Sequence, residues 1–386
     1  MKTAAVIFGG RSTEHDVSIV TALASIIKPL ELAGGWRVVP VDIAKDGSWY
    51  SDKKLKNIEL FQSGQIDDFM AKAPKVQLLF DDGLVLVKDS KWASQGRKID
   101  LVFPAMHGTH GEDGELMGLL EMANVPYVGC DFRSSAVAMD KVLAKQVAEA
   151  SGLTSPPWVW FYAADLKPQK SEILEQIETL KYPLFVKPAH LGSSIGISKV
   201  TAKKDLINAL EVAAHYDDKV IVEQGVKNLI EVTLPIMGND RPVPALLEQP
   251  LTKPEDFFDF DTKYLTGGKK GKGKKSSGRG AQGYSQLPAD LPKTLYQKAE
   301  ATGLAVYKAL GCSGIARVDM LIDSKTKRVY FNEVNPLPGS LYSHNWRAAG
   351  ISSVELVQKL VDYALERWAA KQKINTTFST NYLKQF

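Results

Sequence analysis

The sequence predicts an α/β protein in which an open parallel sheet is followed by two smaller α+β lobes. Residues 4–8 form a short apolar strand that ends in two glycines, and residues 17–30 then carry helical apolar spacing. Residues 38–43 and 101–105 supply further apolar strands. Strands that alternate with helical patterns indicate a parallel sheet, whose ligands bind in loops beyond the carboxyl ends of the strands.

The rest of the chain supplies the elements of the two lobes. A predicted helix at residues 134–151 precedes strands at 159–161 and 182–189, and a strand at 220–225 passes into a hinge. A strand at residues 230–237 begins the last sheet. A chain of 386 residues is long enough for two or three domains. We therefore expect an N-terminal α/β domain at 1–130, a central lobe at 131–224, a C-terminal lobe at 225–370 and a tail at 371–386.

The composition is that of a soluble globular protein, with 44% hydrophobic and 24% charged residues. The apolar run at the start is too short for a signal peptide, and no run approaches the roughly 20 apolar residues of a membrane span. We therefore expect a cytoplasmic protein. Cys130 and Cys312 lack Cys-x-x-Cys spacing, which favours buried free thiols over a disulfide framework or a zinc site.

A glycine- and lysine-rich run at residues 267–280 carries six positive charges, whereas the whole chain has a formal net charge of +4. Because the run contains no apolar residue, it predicts a mobile loop rather than a packed element. We interpret it as part of an extended basic flap at residues 265–285, and a solvated loop is the alternative. No aromatic residues interleave with the lysines, which disfavours nucleic-acid binding.

The most informative segment is a predicted hairpin whose turn is centred on Thr326. Asp319 and Glu333 are equally distant from this residue, as are Arg317 and Asn335, so the hairpin sets all four side chains on one face. Two carboxylates and an amide suit Mg²⁺ held together with substrate phosphates, while the arginine can hold a phosphoryl group in transit. The alternative is a surface hairpin in which Arg317 and Asp319 form an ordinary salt bridge.

A second segment also points to phosphate. Lys187 ends a predicted strand, and a loop rich in glycine and serine follows it at residues 191–199. Such a loop can approach phosphate closely and donate backbone N–H groups and hydroxyls to it. It is not the helix-opening phosphate loop of common NTPases, because Gly-Lys-Ser/Thr is absent and the loop leads to another strand. A solvated lysine is the alternative here.

Over residues 4–365 these segments resemble the D-alanine–D-alanine ligase family, which belongs to the ATP-grasp superfamily. The resemblance is carried by motifs that occur in the family's order. They are Gly-Gly-Arg-Ser-Thr-Glu-His-Asp-Val-Ser (9–18), His-Gly-Thr-His-Gly-Glu-Asp-Gly (107–114), Met-Asp-Lys (139–141), Val-Lys-Pro (186–188), Gly-Ser-Ser-Ile-Gly (192–196), Thr-Lys-Tyr-Leu (262–265), Arg-Val-Asp (317–319) and Asn-Glu-Val-Asn (332–335).

The resemblance implies an ATP-grasp fold and the chemistry that goes with it. An ionised carboxylate is a poor electrophile, so ATP would convert the first D-alanine into an acyl phosphate that the amine of a second attacks. The product, D-alanyl-D-alanine, serves peptidoglycan synthesis. ATP and two Mg²⁺ (or Mn²⁺) are the implied cofactors, and ATP and D-alanine are the implied partners, with neither nucleic acid nor a membrane among them. Family members are commonly homodimers.

The resemblance also assigns roles to individual residues by motif position. For the metal ions it implies Asp319, Glu333, which would bridge them, and Asn335. For ATP it implies Lys141, Lys187, Ser194, Glu223, Gln224, Val226, Glu231 and Lys263. For catalysis it implies Glu14, Ser193 and Tyr264 as a hydrogen-bonded trio, with Arg317 and Gly339 as donors to the oxyanion. For the acceptor side it implies His107, Ser340 and Leu341.

Two departures from the family pattern leave alternatives open. Ser340 follows Gly339 at once, where relatives carry several residues between them, so the acceptor could be D-serine, D-lactate or another amino acid. Tyr264 favours an amine acceptor. Glu231 stands at an unusual spacing and could be a charge at a strand edge. A nucleotide-binding regulator without catalysis is a further alternative, although the residues of the hairpin are all present.

Overall fold

The structure, a computed structural model, describes residues 1–81, 83–88, 96–251 and 285–386. Lys263, Tyr264 and the predicted basic flap up to residue 284 lie outside these ranges. The strands are β1 (Lys2–Gly9), β2 (Trp36–Ile43), β3 (Trp49–Tyr50), β4 (Val76–Phe80), β5 (Leu84–Lys88), β6 (Arg97–Ile99), β7 (Leu101–Pro104), β8 (Trp158–Tyr162), β9 (Leu184–Pro188), β10 (Ser198–Val200), β11 (Lys219–Gln224), β12 (Leu229–Gly238), β13 (Val243–Pro244), β14 (Gln249–Pro250), β15 (Ser285–Gln286), β16 (Gly314–Asp323) and β17 (Arg328–Asn335).

The helices flank these strands. They are α1 (His15–Val20), α2 (Lys28–Ala33), α3 (Ile58–Gln62), α4 (Ile66–Met70), α5 (Glu115–Met122), α6 (Phe132–Met139), α7 (Lys141–Ala150), α8 (Lys170–Glu178), α9 (Leu206–Tyr216), α10 (Lys293–Ala309), α11 (Ser343–Ala348) and α12 (Ser353–Lys371). A π-helical segment, Thr21–Ile27, joins α1 to α2 without a break, so the predicted helix at residues 17–30 is confirmed. No helix of the described ranges is both long enough and apolar enough to cross a membrane.

The N-terminal sheet has the strand order β3-β2-β1-β7, and β1 is parallel to both β2 and β7. The edge strand β3 is antiparallel to β2, and the other three strands confirm the predicted open parallel sheet. Ile7 of β1 is in register with Pro104 of β7, so the loops that follow these two strands leave the same edge of the sheet. That edge is where ligands bind in parallel α/β sheets.

Two antiparallel sheets follow, with the orders β10-β9-β11-β8 and β13-β12-β16-β17. The first contains the predicted strands at residues 159–161, 182–189 and 220–225, and the second contains the strand predicted at 230–237. These three of the five sheets in the described residues match the predicted α/β and α+β classes. The domain boundaries at residues 130, 224 and 370 stay a prediction.

The single helix predicted for residues 134–151 is wrong. Asp140 has extended backbone angles (φ −86°, ψ 102°) and separates α6 from α7. Its carboxylate accepts hydrogen bonds from the backbone N–H groups of Val142 (2.9 Å) and Leu143 (3.1 Å), as an N-cap does. The apolar spacing continues across the break, so periodicity alone could not reveal it.

A core between the ends of the chain fixes the loop that follows Gly339. Leu341 and Trp346 are 0% and 1% exposed, and they belong to the same core cluster as Phe8 and Ile26 of the N-terminal layer. The chain after β17 is thus held against the first helix of the protein.

Cys130 and Cys312 are free and buried, as predicted.

Asp42 of β2 is a buried carboxylate that should make stability depend on pH. Its Oδ1 has no hydrogen-bond partner among the described residues, and burial raises its pKa to about 7. Because the folded state then binds the proton more tightly than the unfolded chain, the free energy of unfolding falls as the pH rises from about 4 to about 7.

The free energy of unfolding of the wild-type protein should fall between pH 5 and pH 8. We expect this fall to be about 2 to 3 kcal/mol smaller in Asp42→Asn, at 1.4 kcal/mol per pKa unit. Urea unfolding at both pH values measures the free energy of unfolding. Asp68→Asn, at an exposed carboxylate, is the control. Equal pH dependence of the wild-type protein and Asp42→Asn would show that Asp42 stays ionised.

Candidate active site

The predicted hairpin is confirmed in its register. Arg317 lies opposite Asn335 and Asp319 lies opposite Glu333. The register shifts between Asp319 and the next residue, so Asn332 is an extra residue on β17. Along β16 buried side chains alternate with partly exposed ones, which places the site residues together on the less buried face.

Three of the four side chains are in direct contact. Arg317 donates from Nε to Asp319 Oδ1 (2.8 Å) and from Nη2 to Oδ2 (2.6 Å), and Asn335 Nδ2 donates to the same Oδ2 (3.1 Å). Burial lowers the pKa of Arg317, but the Asp319 carboxylate outweighs this and raises it above its usual value. The guanidinium therefore stays charged. The salt bridge between Arg317 and Asp319, which was the alternative interpretation, is therefore present. The oxygen ligands lie together on the same face as well.

The donor set fits a hard divalent cation. Two carboxylates, of Asp319 and Glu333, and the carboxamide of Asn335 share one sheet face, and the two carboxylates are 16% and 32% exposed. Oxygen ligands of this kind are those that Mg²⁺ takes, usually with waters and substrate phosphates. A cation at Asp319 has to share that carboxylate with Arg317.

Lysine ammonium groups border the hairpin on one side. Lys141 Nζ lies 3.8 Å from Glu333 Oε2. Lys187 Nζ is 2.5 Å from Glu223 Oε2, and Lys145 Nζ is 2.8 Å from Glu223 Oε1. Burial raises the pKa of Glu223, but the two ammonium groups outweigh it and bring the pKa down to about 2. Glu223 is therefore an ionised carboxylate between two lysines.

Lys145 was missed by the sequence analysis. It is 0% exposed, and its ammonium also donates to the backbone carbonyl of Asn332 (3.2 Å), the extra residue of the hairpin. The available signal was its position four residues after Lys141 on one helix, because residues spaced by four share a helix face.

The glycine- and serine-rich loop at residues 191–199 lies beside the loop that follows β1. The Ser193 hydroxyl donates to Glu14 Oε1, so two members of the predicted trio are in contact, and Glu14 is only 7% exposed. Ser193 and Ser194 have φ values of 50° and 61°. Such left-handed residues cluster at ligand sites when the surrounding structure holds them there.

A hydrogen-bond chain links the N-terminal layer to the predicted acceptor loop. His107 Nε2 lies 2.8 Å from Thr21 Oγ1, which also accepts the backbone N–H of Ser340 at 3.0 Å. Nδ1 of His107 lies 3.4 Å from Glu112 Oε1. Burial lowers the pKa of His107, but Glu112 and Glu14 outweigh it and raise the pKa above its ordinary value. Thr21 had no signal in the sequence beyond helical spacing.

The short loop after Gly339 has an unusual backbone. Residues 340–342 have φ values of 51°, 53° and 51°, and none is glycine. Left-handed conformations of this kind cost about 1 to 2 kcal/mol per residue. The turn places Arg317 Cζ 5.3 Å from the centre of the Tyr342 ring. An added Cβ at Gly339 would meet no atom of the described residues within 4 Å, so the space beside this glycine is open.

The remaining predicted residues are spread around this centre. Leu341 has 0% exposure, so it can reach a substrate only through its backbone. The Gln224 side-chain oxygen accepts the backbone N–H of Lys181 at 2.9 Å. Val226 is partly exposed just beyond β11, and Glu231 is exposed on β12 opposite Leu321.

The whole chain was compared with known proteins. Residues 3–130 match a family model described as "D-ala D-ala ligase N-terminus", and residues 147–362 match one described as "D-ala D-ala ligase C-terminus". A D-alanine–D-alanine ligase from Chlorobium phaeovibrioides is 38% identical over an alignment of 373 residues, which covers 94% of this chain and 97% of the relative. One from Acetivibrio thermocellus is 36% identical over 386 residues, covering 95% and 96%.

Solved structures agree with these matches. The D-alanine–D-alanine ligase from Coxiella burnetii has a TM-score of 0.77 and 28% identity, over 96% of each chain. The VanG D-Ala:D-Ser ligase from Enterococcus faecalis has a TM-score of 0.76 and 31% identity, over 94% of this chain and 99% of that one.

Proposed function

Since the chain belongs to the D-alanine–D-alanine ligase family, we propose that it uses ATP to join two D-alanines into D-alanyl-D-alanine for peptidoglycan synthesis. The observation that carries this proposal is the convergence of Arg317, Asp319, Glu333 and Asn335 on one hairpin face, with Lys141 Nζ 3.8 Å from Glu333. Phosphoryl transfer needs this combination of oxygen ligands and fixed cations around a polyphosphate.

The reaction has two steps in the proposal. A carboxylate oxygen of the first D-alanine attacks the γ-phosphorus of ATP, which releases ADP and leaves an acyl phosphate. The amine of the second D-alanine then attacks the acyl carbon, and the bond to the phosphate oxygen breaks. Arg317 and the backbone N–H of Gly339 donate to the oxyanion that forms in between, and one such preorganised donor is typically worth about 3 to 4 kcal/mol in the barrier.

The nucleotide side is assigned to the lysines and the metal ligands. Asp319, Glu333 and Asn335 would hold two Mg²⁺ (or Mn²⁺), which when bound offset negative charge on the transferring phosphoryl group. Lys141 and Lys187 would bind the phosphates of ATP. The carboxylate of Glu223, fixed by Lys145 and Lys187, would accept a hydrogen bond from the adenine amino group. The remaining ATP contacts are assigned by motif to Ser194, Gln224, Val226, Glu231 and Lys263.

The amino acid side is assigned to the N-terminal loops and the turn after Gly339. The carboxyl group of Glu14, which accepts a hydrogen bond from Ser193, suits the ammonium group of the first D-alanine. We assign the carboxylate of the second D-alanine to His107 and Ser340, which are joined through Thr21. The raised pKa of His107 supports this, since an imidazolium attracts a carboxylate.

A substrate panel tests the proposal. The purified protein is incubated with ATP, Mg²⁺ and single D- or L-amino acids or D-lactate, and phosphate release and product masses are measured. D-alanine alone should release phosphate and yield the dipeptide. Phosphate release with another substrate, and none with D-alanine, would contradict the substrate assignment.

D-serine is a second candidate acceptor, because Ser340 follows Gly339 at once on the proposed acceptor side. One structural relative is named a D-Ala:D-Ser ligase. Equimolar D-alanine and D-serine in one reaction decide between the two. A predominance of D-alanyl-D-alanine supports the main proposal, and a predominance of D-alanyl-D-serine supports the second.

Thr21→Val should weaken use of the second D-alanine selectively. The variant keeps the shape of the side chain but removes the hydroxyl that lies between His107 and the Ser340 N–H. We expect its KM for the second D-alanine to rise about 10-fold or more, because small displacements of positioning groups are costly. The KM for ATP should stay unchanged. Thr21→Ser, which keeps the hydroxyl, is the matched control. An unchanged KM for the second D-alanine in Thr21→Val would contradict the assignment.

A further inference from the structure

His190 stands at the start of the glycine- and serine-rich loop, surrounded by carboxylates. Its Nδ1 lies 2.8 Å from Asp217 Oδ1, and its backbone N–H donates to Asp217 Oδ2 at 2.6 Å. Its Nε2 lies 3.3 Å from Asp140 Oδ2, and Asp218 is 3.8 Å from Nδ1. Both ring nitrogens therefore face carboxylate oxygens. A neutral imidazole could donate to only one of these groups, whereas an imidazolium donates to both.

The groups around His190 come from two segments of the chain. Asp140 separates α6 from α7, and Asp217 and Asp218 precede β11. The facing cation is Lys219 of β11, whose Nζ is 2.5 Å from Asp140 Oδ2. The two hydrogen-bonded carboxylates raise the pKa of His190 to about 9. The side chain is 42% exposed, so there is room for a larger residue at this position.

Lys141 is bound to the residues on both sides of His190. The backbone N–H of Lys141 donates to the carbonyl of Ala189 at 3.0 Å, and its Nζ donates to the carbonyl of Leu191 at 2.7 Å. Asp140, the residue before Lys141, contacts His190 itself. A displacement of His190 therefore moves both carbonyls that hold the lysine.

We propose that His190, as an imidazolium shared by Asp140 and Asp217, is a positioning residue that fixes the ammonium group of Lys141 for ATP. This inference rests on the proposed function of Lys141 as a phosphate ligand. His190 does not touch the nucleotide in this arrangement, and it acts through the carbonyls of Ala189 and Leu191. It follows that ATP affinity depends on the charge of His190.

The test is the dissociation constant of Mg²⁺-bound ATP, measured without amino acid between pH 7 and pH 9.5. We expect His190→Ala to bind about 10-fold more weakly at pH 7.5, the range seen when residues that orient a ligand group are removed. The wild-type protein should lose affinity as the pH rises through about 9, while His190→Ala should show no such loss. His190→Arg, charged at every pH used, should keep its affinity throughout.

His215→Ala, at an exposed histidine of the same lobe, is the matched control and should bind like the wild-type protein. If His190→Ala does not fold, Asp217→Asn serves instead, because losing one carboxylate should move the loss of affinity to lower pH. Equal affinities of wild type and His190→Ala at pH 7.5, or the same alkaline loss in both, would overturn the inference. A wild-type protein that binds no ATP at any pH would overturn the proposed function itself.

Discussion

Replacing Glu333 with glutamine is expected to lower kcat at least about 1000-fold, because the side chain would lose the charge that we propose binds the cations. Glutamine keeps the size of the side chain, and Glu333 is 32% exposed at the end of β17, so the fold should tolerate the change. Phosphate release at saturating ATP and D-alanine measures the effect. Asp319 lies opposite Glu333 in the hairpin, so Asp319→Asn should behave similarly.

A matched control for Glu333→Gln is Asp323→Asn, at the far end of the same hairpin. The Asp323 carboxylate accepts the backbone N–H of Lys325 at 2.9 Å, a turn contact that an amide oxygen can keep. It should leave kcat within about twofold of wild type, as expected for a site away from the chemistry. A Glu333→Gln enzyme with more than a tenth of the wild-type kcat would contradict the metal-ligand assignment.

Arg317→Lys is expected to lower kcat about 100- to 1000-fold and to leave the KM for ATP nearly unchanged. The variant keeps a positive charge beside Asp319, so the partly buried carboxylate keeps an ion-pair partner. It loses the planar fork that reaches Asp319 and a developing oxyanion together. Steady-state kinetics with ATP and D-alanine varied separately resolve kcat from KM.

The control for Arg317→Lys is Arg328→Lys, because Arg328 is exposed at the first position of β17. It should have wild-type kinetics. If Arg317→Lys raised the KM for ATP and left kcat unchanged, Arg317 would be a ground-state nucleotide ligand rather than a donor in the transition state.

The hairpin could be predicted because its register is set by local pattern. Alternation in both halves fixed which side chains share a face, and the spacing about Thr326 paired Asp319 with Glu333. Beyond the site the register differs by one residue, since Met320 pairs with Phe331, and the extra residue Asn332 accounts for the difference. A bulge has no such pattern in sequence, because the chain accommodates it at little cost.

The contacts that could not be predicted join distant segments of the chain. Glu223 lies between Lys145 and Lys187, and Thr21 meets Ser340 across a separation of 319 residues. Asp140 ends a helix because its carboxylate caps the next one, against a spacing that favours continuation. Such contacts arise from the packing of the sheets, which the local propensity of a segment does not determine.

The most direct test of the proposed chemistry follows an oxygen atom. D-alanine labelled with ¹⁸O in its carboxylate is supplied with ATP and Mg²⁺, and the phosphate and nucleotide products are analysed by mass. If the carboxylate attacks the γ-phosphorus, each dipeptide formed should be matched by one phosphate that carries one ¹⁸O. Unlabelled phosphate, or label in AMP instead, would contradict an acyl phosphate at this site.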